Sequence, residues 1–218
     1  MSDARSLGEL IANNHWEQGS VLPGPLAAQA IALRPAWMQG PVSEEDWLVV
    51  VSHPCDLVNP KADNEPAVEI LRFTPRPGSR ADSGFILGKN PRRMHVLGLS
   101  SAGDSGTVVL HAWAHDKWPV PRELLQAASP EPDRRLPPSV VTQVALWLSK
   151  RFVRSAFPGS FDDRWRGPRL EHLKAWLDLM KTHSNVLAGV YLRLTTEAEL
   201  VDPNLSYGIT VQVLFVRK

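Results

Sequence analysis

The chain has 218 residues, of which 43% are hydrophobic and 22% are charged, a balance typical of one folded domain or of two small lobes. Its formal net charge is +1, so any attraction to nucleic acid must come from local clusters of charge. No apolar run approaches the roughly 18 residues that a membrane span needs, so no membrane association is expected. The absence of a secretory signal pattern and the single cysteine predict a cytoplasmic protein.

The first half of the chain contains patterns typical of strands, with short helices before them. Spaced apolar residues predict a helix over 5–14, and a second short helix is expected near 26–31. A run of valines predicts a buried strand over 47–52, and alternation predicts another over 67–73. The sequences "RRMHVLGLS" and "GTVVLHAWAH" then predict two strands of a β-hairpin with a long connection.

The second half changes character after a segment rich in proline and charge, 127–138, which is predicted to be a linker. A helix is expected over 139–154, with an apolar face that runs from Val140 to Phe152. A Pro-Gly pair is expected to break it before a second helix over 169–183. The sequences "GVYLRLT" and "SYGITVQVLFV" predict two final strands.

These elements predict an α+β fold with a β-rich N-terminal lobe. The expected organisation is a β-rich lobe over 1–126, a linker over 127–138, and a helical pair with C-terminal strands over 139–218. The alternative is one continuous domain. The last two strands are expected either to complete the first sheet or to form a second one.

Chemically active side chains follow the predicted strand 47–52 in the sequence "SHPCD". A cysteine becomes a nucleophile when a base or a cation lies beside its thiol, and His53 is two residues from Cys55. Polar groups at the end of a buried strand often form sites, so His53, Cys55 and Asp56 are predicted catalytic residues. The alternative is a structural corner, in which Cys55 is a small buried residue and Asp56 caps the turn.

A second cluster lies in the sequence "LGKNPRRMHV", where three cations surround an Asn-Pro turn. Lys89, Arg92 and Arg93 could hold a phosphate group, and His95 could act on it as a general acid or base. The alternative is a charged turn that only faces solvent.

The sequence "HAWAH" places His111, Trp113 and His115 on one face of a strand. The two histidines would be about 13 Å apart at the rise of a β-strand, too far to share one metal ion. The pattern therefore favours an exposed aromatic and histidine face, and no metal or cofactor is predicted.

Cations and aromatic rings alternate in the segment 150–169. Such a pattern suits neutralisation of a nucleic-acid backbone together with stacking of bases. The alternative is that the aromatic rings fill a corner between two helices. The cations of this segment predicted to bind nucleic acid are Arg151, Arg154, Arg164 and Arg166.

The sequences "QGSVL" and "WLVVVSHPCD", within residues 16–56, resemble the MazF/PemK-type growth-inhibitor barrels. Together with "FPGSFDDRW", they also resemble an uncharacterised family of bacterial genomic-island proteins. The first resemblance implies an SH3-like barrel core and a ribonuclease role.

Three functions are consistent with these patterns. The first is a bacterial component that binds RNA, DNA or a protein partner from the same operon, in a defence or mobile-element system. The second is a toxin-type, metal-independent ribonuclease, in which His53 or His95 transfers protons. The third is a cysteine-dependent enzyme that uses Cys55. Motifs for phosphate loops, dinucleotides, zinc proteases and serine hydrolases are absent from the sequence.

Overall fold

The structure is a computed structural model, and the chain forms two compact units, Met1–Val153 and Arg154–Lys218. No helix in the described part of the chain is long and apolar enough to cross a membrane. The residues that the structure describes are 6–38, 40–76, 80–82, 85–88, 90–101, 106–153, 157–166, 170–183, 185–196, 198–202 and 204–215.

The first unit is built on a five-stranded antiparallel sheet with the order β1-β2-β4-β3-β5. Residues 20 and 21 form bridges to Arg135 in β5 and to Val49 in β1, so the two edges of the sheet are nearly closed into a barrel. This arrangement confirms the predicted α+β fold with a β-rich barrel lobe. The strands are β1 (Trp47–Val50), β2 (Ala67–Pro75), β3 (Arg93–Ser100), β4 (Thr107–Pro121) and β5 (Arg134–Arg135).

Apolar side chains are buried on both faces of this sheet, which explains why β1 is a continuous apolar run rather than an alternating one. One face packs against α1 (Leu7–Asn13), α2 (Gly24–Ala32) and a 3₁₀ helix at Arg122–Ala127. On the other face, the ring of Trp47 lies so close to Gly98 that an added Cβ would be 2.6 Å from it. A side chain at this position would therefore force the core to move apart.

Helix α4 (Pro138–Val153) belongs to the first unit, whereas the sequence placed it after a linker. The physical reason is burial, because Val144 and Trp147 pack into the core on the second face of the sheet. The predicted linker 127–138 is itself part of the fold, since it contains β5 and the buried Leu136.

The predicted apolar face of α4 is wrong at its last member, because Phe152 is 85% exposed. The side chains of α4 that pack against the core end at Leu148, one turn earlier.

The second unit contains α5 (Gly159–Arg166), α6 (Leu170–Thr182), β6 (Leu187–Leu194) and β7 (Ile209–Phe215). The two strands form a separate antiparallel pair, so they do not complete the first sheet. Helix α5 was not predicted, since its first residues read as a helix break. It forms because the carboxylate of Glu199 accepts hydrogen bonds from the backbone N–H groups of Gly159 and Ser160, at 2.5 and 3.0 Å.

Candidate functional site

The "SHPCD" segment forms a short helix, α3 (Pro54–Leu57), directly after β1. The imidazole Nδ1 of His53 accepts a hydrogen bond from the backbone N–H of Cys55 at 3.2 Å, so His53 caps this helix. Cys55 is exposed, so the expectation of a small buried residue is wrong. Asp56 takes part through its backbone, whose carbonyl accepts from Arg122 Nη1 at 2.8 Å.

Arg122 is a buried residue of this corner that the sequence did not identify. Its side chain is fully buried, and its Nε and Nη2 atoms have no hydrogen-bond partner in the described structure. Buried polar side-chain atoms are rarely left without partners, and the carbonyl that accepts from Nη1 of Arg122 belongs to α3. Arg122 therefore joins the 3₁₀ helix of the first unit to the "SHPCD" corner.

Cys55 also lines an open cavity of about 350 Å³ between α1 and α3. His15 and Glu17 line the same cavity, whereas the sequence suggested His53 as the partner of the thiol. The residues around this cavity are Ala12, His15, Trp16, Glu17, Pro54, Cys55 and Val58.

A different cluster forms where β3 and β4 pair. Their antiparallel register places His95 opposite His111 and Arg93 opposite Trp113. Directly opposed residues have their Cβ atoms about 5 Å apart, so these side chains contact one another. The two imidazole ring centroids are 5.2 Å apart, in an edge-to-face arrangement.

The guanidinium of Arg93 lies between two aromatic rings. It is 4.5 Å from the ring centroid of Phe85 and 4.9 Å from that of Trp113, within the range of cation–π attraction. Trp113 is in turn 5.4 Å from His111 and 5.4 Å from His115, measured between ring centroids. We call these five residues the cation–aromatic surface: Phe85, Arg93, His111, Trp113 and His115.

His95 lies beneath this surface and is only 3% exposed. Its Nδ1 atom is 3.0 Å from the backbone nitrogen of Asp82, and its Nε2 atom is 3.4 Å from Nη1 of Arg76. Burial, followed by the nearby charge of Arg76, lowers the pKa of His95.

His111 is partly buried beside the same cations. Burial, followed by the neighbouring His95 and Arg76, lowers the pKa of His111 to about 4. The Nε2 atom of His111 is buried and has no hydrogen-bond partner among the described residues. Both imidazoles are therefore neutral at pH 7, next to permanently charged guanidinium groups.

The structure thus brings together two of the predicted residues of the "LGKNPRRMHV" cluster, Arg93 and His95. Arg92 is exposed at the adjacent turn, where the side-chain oxygen of Asn90 accepts from the backbone N–H groups of Arg92 and Arg93, at 2.9 and 3.0 Å. Lys89 lies outside the described residues.

The sequence missed Arg76 and Phe85 as members of the same cluster. Arg76 follows the last residue of β2, and Phe85 lies in the connection to β3. No local sequence pattern marks either residue as part of a site. They lie near His95 only because the strands of the sheet pair as they do.

The predicted catalytic residues do not form one site. The contacts found for His95 involve Arg76, Asp82, Phe85 and His111, which all lie outside α3 and its cap. No group of three or more His, Cys, Asp or Glu side chains close enough to bind a metal ion occurs among the described residues.

The cationic segment 150–169 is divided between the two units. Arg151 is exposed at the end of α4, and Arg154 lies outside the described residues. In α5, the guanidinium of Arg164 donates to three backbone carbonyls, those of Leu200, Asp202 and Leu205, so this side chain holds a loop of its own unit. Arg166 is the last residue of the same helix.

Phe157, Phe161 and Trp165 form a continuous row of rings, with neighbouring centroids 5.0 and 5.4 Å apart. Phe161 is buried. Burial of Phe161 makes this ring a packing residue of the second unit.

In comparisons with known proteins, the chain matches no family model, no curated protein and no solved structure.

Proposed function

We propose that the protein binds single-stranded nucleic acid along the cation–aromatic surface of β3 and β4. The observation that carries this proposal is the guanidinium of Arg93, held between the rings of Phe85 and Trp113. Surfaces that bind single strands combine cations for the phosphate backbone with rings on which bases stack. This surface has both within one pair of strands.

The local charge supports the same function. Arg76 and Arg93 lie within the cluster, and the exposed Arg92 lies in the turn directly before β3. With a net charge of only +1 on the whole chain, such a local concentration of guanidinium groups is a specific feature rather than a general excess of charge. Recognition by stacking and backbone charge predicts little dependence on base sequence.

Trp113→Ala tests the stacking part of this proposal. Loss of one base–aromatic contact should weaken binding of a labelled single-stranded oligonucleotide about tenfold, measured by fluorescence anisotropy. Trp37→Ala is the matched control, because Trp37 is 69% exposed and lies outside the surface. Equal weakening by both variants, or no binding by the unmodified protein at low salt, would refute the proposal.

A second candidate function is cleavage of a bound RNA strand without a metal ion, favoured by the close contact of His95 and His111. In this reaction one neutral imidazole removes the proton from a ribose 2′-OH, and the 2′-oxygen attacks the adjacent phosphorus. The bond from phosphorus to the 5′-oxygen breaks, and the second histidine gives a proton to that oxygen. Because both imidazoles are neutral at pH 7, this step requires one of them to be protonated first, and cleavage is expected only at acidic pH. The products are a 2′,3′-cyclic phosphate and a 5′-hydroxyl.

This candidate predicts cleavage of a fluorogenic RNA in the presence of a chelator, and no cleavage of the same sequence as DNA, which lacks the 2′-OH. His111→Gln should abolish cleavage, whereas His115→Gln, on the same strand but outside the histidine pair, should retain it. Intact RNA with the unmodified protein would eliminate the ribonuclease and leave the binding function in place.

A further inference from the structure

The ring of His95 faces two hydrogen-bond donors, although a neutral imidazole can accept only one hydrogen bond. Both of its ring nitrogens face donors, namely the backbone N–H of Asp82 at 3.0 Å and Nη1 of Arg76 at 3.4 Å. A neutral imidazole has one acceptor nitrogen and one N–H, and a guanidinium has only donors. Whichever tautomer His95 adopts, one of these two contacts places a donor against a donor.

His111 adds a third polar atom in the same place. Its Nε2 atom is buried and has no hydrogen-bond partner in the described part of the chain, and its ring centroid is 5.2 Å from that of His95. Buried polar atoms are normally paired, and an unpaired one costs about 1–3 kcal/mol. The shorter contact of His95, with the backbone N–H of Asp82, favours Nδ1 as its acceptor. The N–H on Nε2 then points toward Arg76.

We propose that Nε2 of His95, Nη1 of Arg76 and Nε2 of His111 form a binding site for a phosphate oxyanion. A phosphate oxygen accepts several hydrogen bonds, so one anion can accept from Nε2 of His95, from Nη1 of Arg76 and from an N–H on Nε2 of His111. Arg76 is exposed, so its side chain can shift enough for the anion to bind between the guanidinium and the two imidazoles. The carboxylate of Asp82 raises the pKa of His95, so a negative charge already lies near the site and opposes a second one.

This site deepens the function proposed above but does not depend on it. The shared chemistry is a tetrahedral phosphate, either in a nucleic-acid backbone or as a free ion. If the oligonucleotide displaces inorganic phosphate from the histidines, the ligand is a backbone phosphate. If phosphate stays bound when the oligonucleotide is added, the ligand is a free phosphate, and the proposed nucleic-acid function fails at this surface while the anion site stands.

The direct test is an NMR titration of the histidine ring nitrogens with inorganic phosphate. We expect the Nε2–H tautomer of His95 in the free protein, and saturable shifts of His95 and His111 in the millimolar range. Shifts that do not saturate, or none at these two residues, would overturn the site and leave a bridging water as the missing acceptor.

Arg76→Gln and Arg92→Gln form the matched pair of variants. Both arginines are exposed, but only Arg76 contacts the ring of His95. Arg76→Gln should weaken phosphate binding about tenfold, the effect of one charge-assisted hydrogen bond, whereas Arg92→Gln should have a much smaller effect. Equal weakening by both would reduce the site to general positive charge and overturn the proposal. Asp82→Asn, which removes the opposing carboxylate, should strengthen binding.

Discussion

At the scale of single residues, His111 links the stability of the first unit to pH. Its pKa is about 4 in the folded protein and about 6.5 in the unfolded chain. The unfolded state therefore takes up a proton before the folded state does as the pH falls. The stability contributed by neutral His111 is complete above pH 6.5 and is lost as the pH falls to about 4.

His111→Gln should therefore reduce the loss of unfolding free energy between pH 7.5 and pH 5, measured by urea denaturation. His115→Gln is the control, because His115 is exposed on the same strand. An unchanged pH dependence in the His111 variant would contradict the assignment. The charged and titratable groups that act on the histidine pair are Arg72, Arg76, Asp82 and Arg93.

The thiol of Cys55 gives a second prediction for a single residue. Because Cys55 is exposed, a thiol reagent should modify one cysteine per chain in the folded protein, without denaturant. The rate measured from pH 5 to 9 then tells whether the thiol is activated. Modification that begins only upon unfolding would contradict the exposed position.

At the scale of elements, a network of buried ion pairs joins the segment after α2 to β2 and β4. Asp116 accepts from Arg34 Nη2 at 3.1 Å and from Arg72 Nε at 2.5 Å, and Arg72 also lies 3.7 Å from Asp46. Both carboxylates are buried. Removal of one partner from such a network leaves a buried charge without compensation.

Asp116→Ala should lower the free energy of unfolding by about 3 kcal/mol, because two arginines would lose their shared carboxylate. Glu69→Ala is the comparison, since Glu69 is exposed and forms an ion pair with Lys117 across β2 and β4. That change should cost less than about 1 kcal/mol. Similar losses in both variants, measured by urea denaturation, would show that the buried network is not a special source of stability.

Most helices and strands with clear periodicity were predicted close to their observed bounds, although β4 continues to Pro121, six residues beyond the predicted strand. The buried strand β1, the hairpin of β3 and β4, and helices α4 and α6 each have an apolar pattern that depends only on local geometry. The pattern did not reveal α5, because its stabilising carboxylate, Glu199, is 40 residues away from Gly159. The sequence pattern also did not reveal that α4 packs on the barrel. The apolar face of a helix shows that the helix packs against something, but not against which element.

The candidate site was predicted only in part, because local periodicity shows which side chains share a face but not which strands pair. The shared face of His111, Trp113 and His115 follows from the alternation of side chains along a strand. Their contact with Arg93 and His95 follows from the register of the hairpin, which the long connection left undetermined. The contact of Arg76 with His95 could not be predicted, because no local sequence pattern around Arg76 indicates which residue it will contact.

At the scale of the whole molecule, the first unit contains all of the buried residues that form the two hydrophobic clusters, from Ile11 to Trp147. A domain of about 150 residues buries enough surface to fold alone. A fragment of residues 1–153 should therefore unfold cooperatively in urea and retain binding of the oligonucleotide. Non-cooperative unfolding of this fragment would contradict the division into units.

The sequence by itself determined the fold class, most of the regular elements and the chemical character of the β3–β4 face. These properties depend on local periodicity and on the side chains themselves. Only the tertiary structure decided which histidines and arginines meet and that Arg164 holds a loop. Such contacts join residues far apart in the chain, and strand register and packing determine them rather than any local pattern.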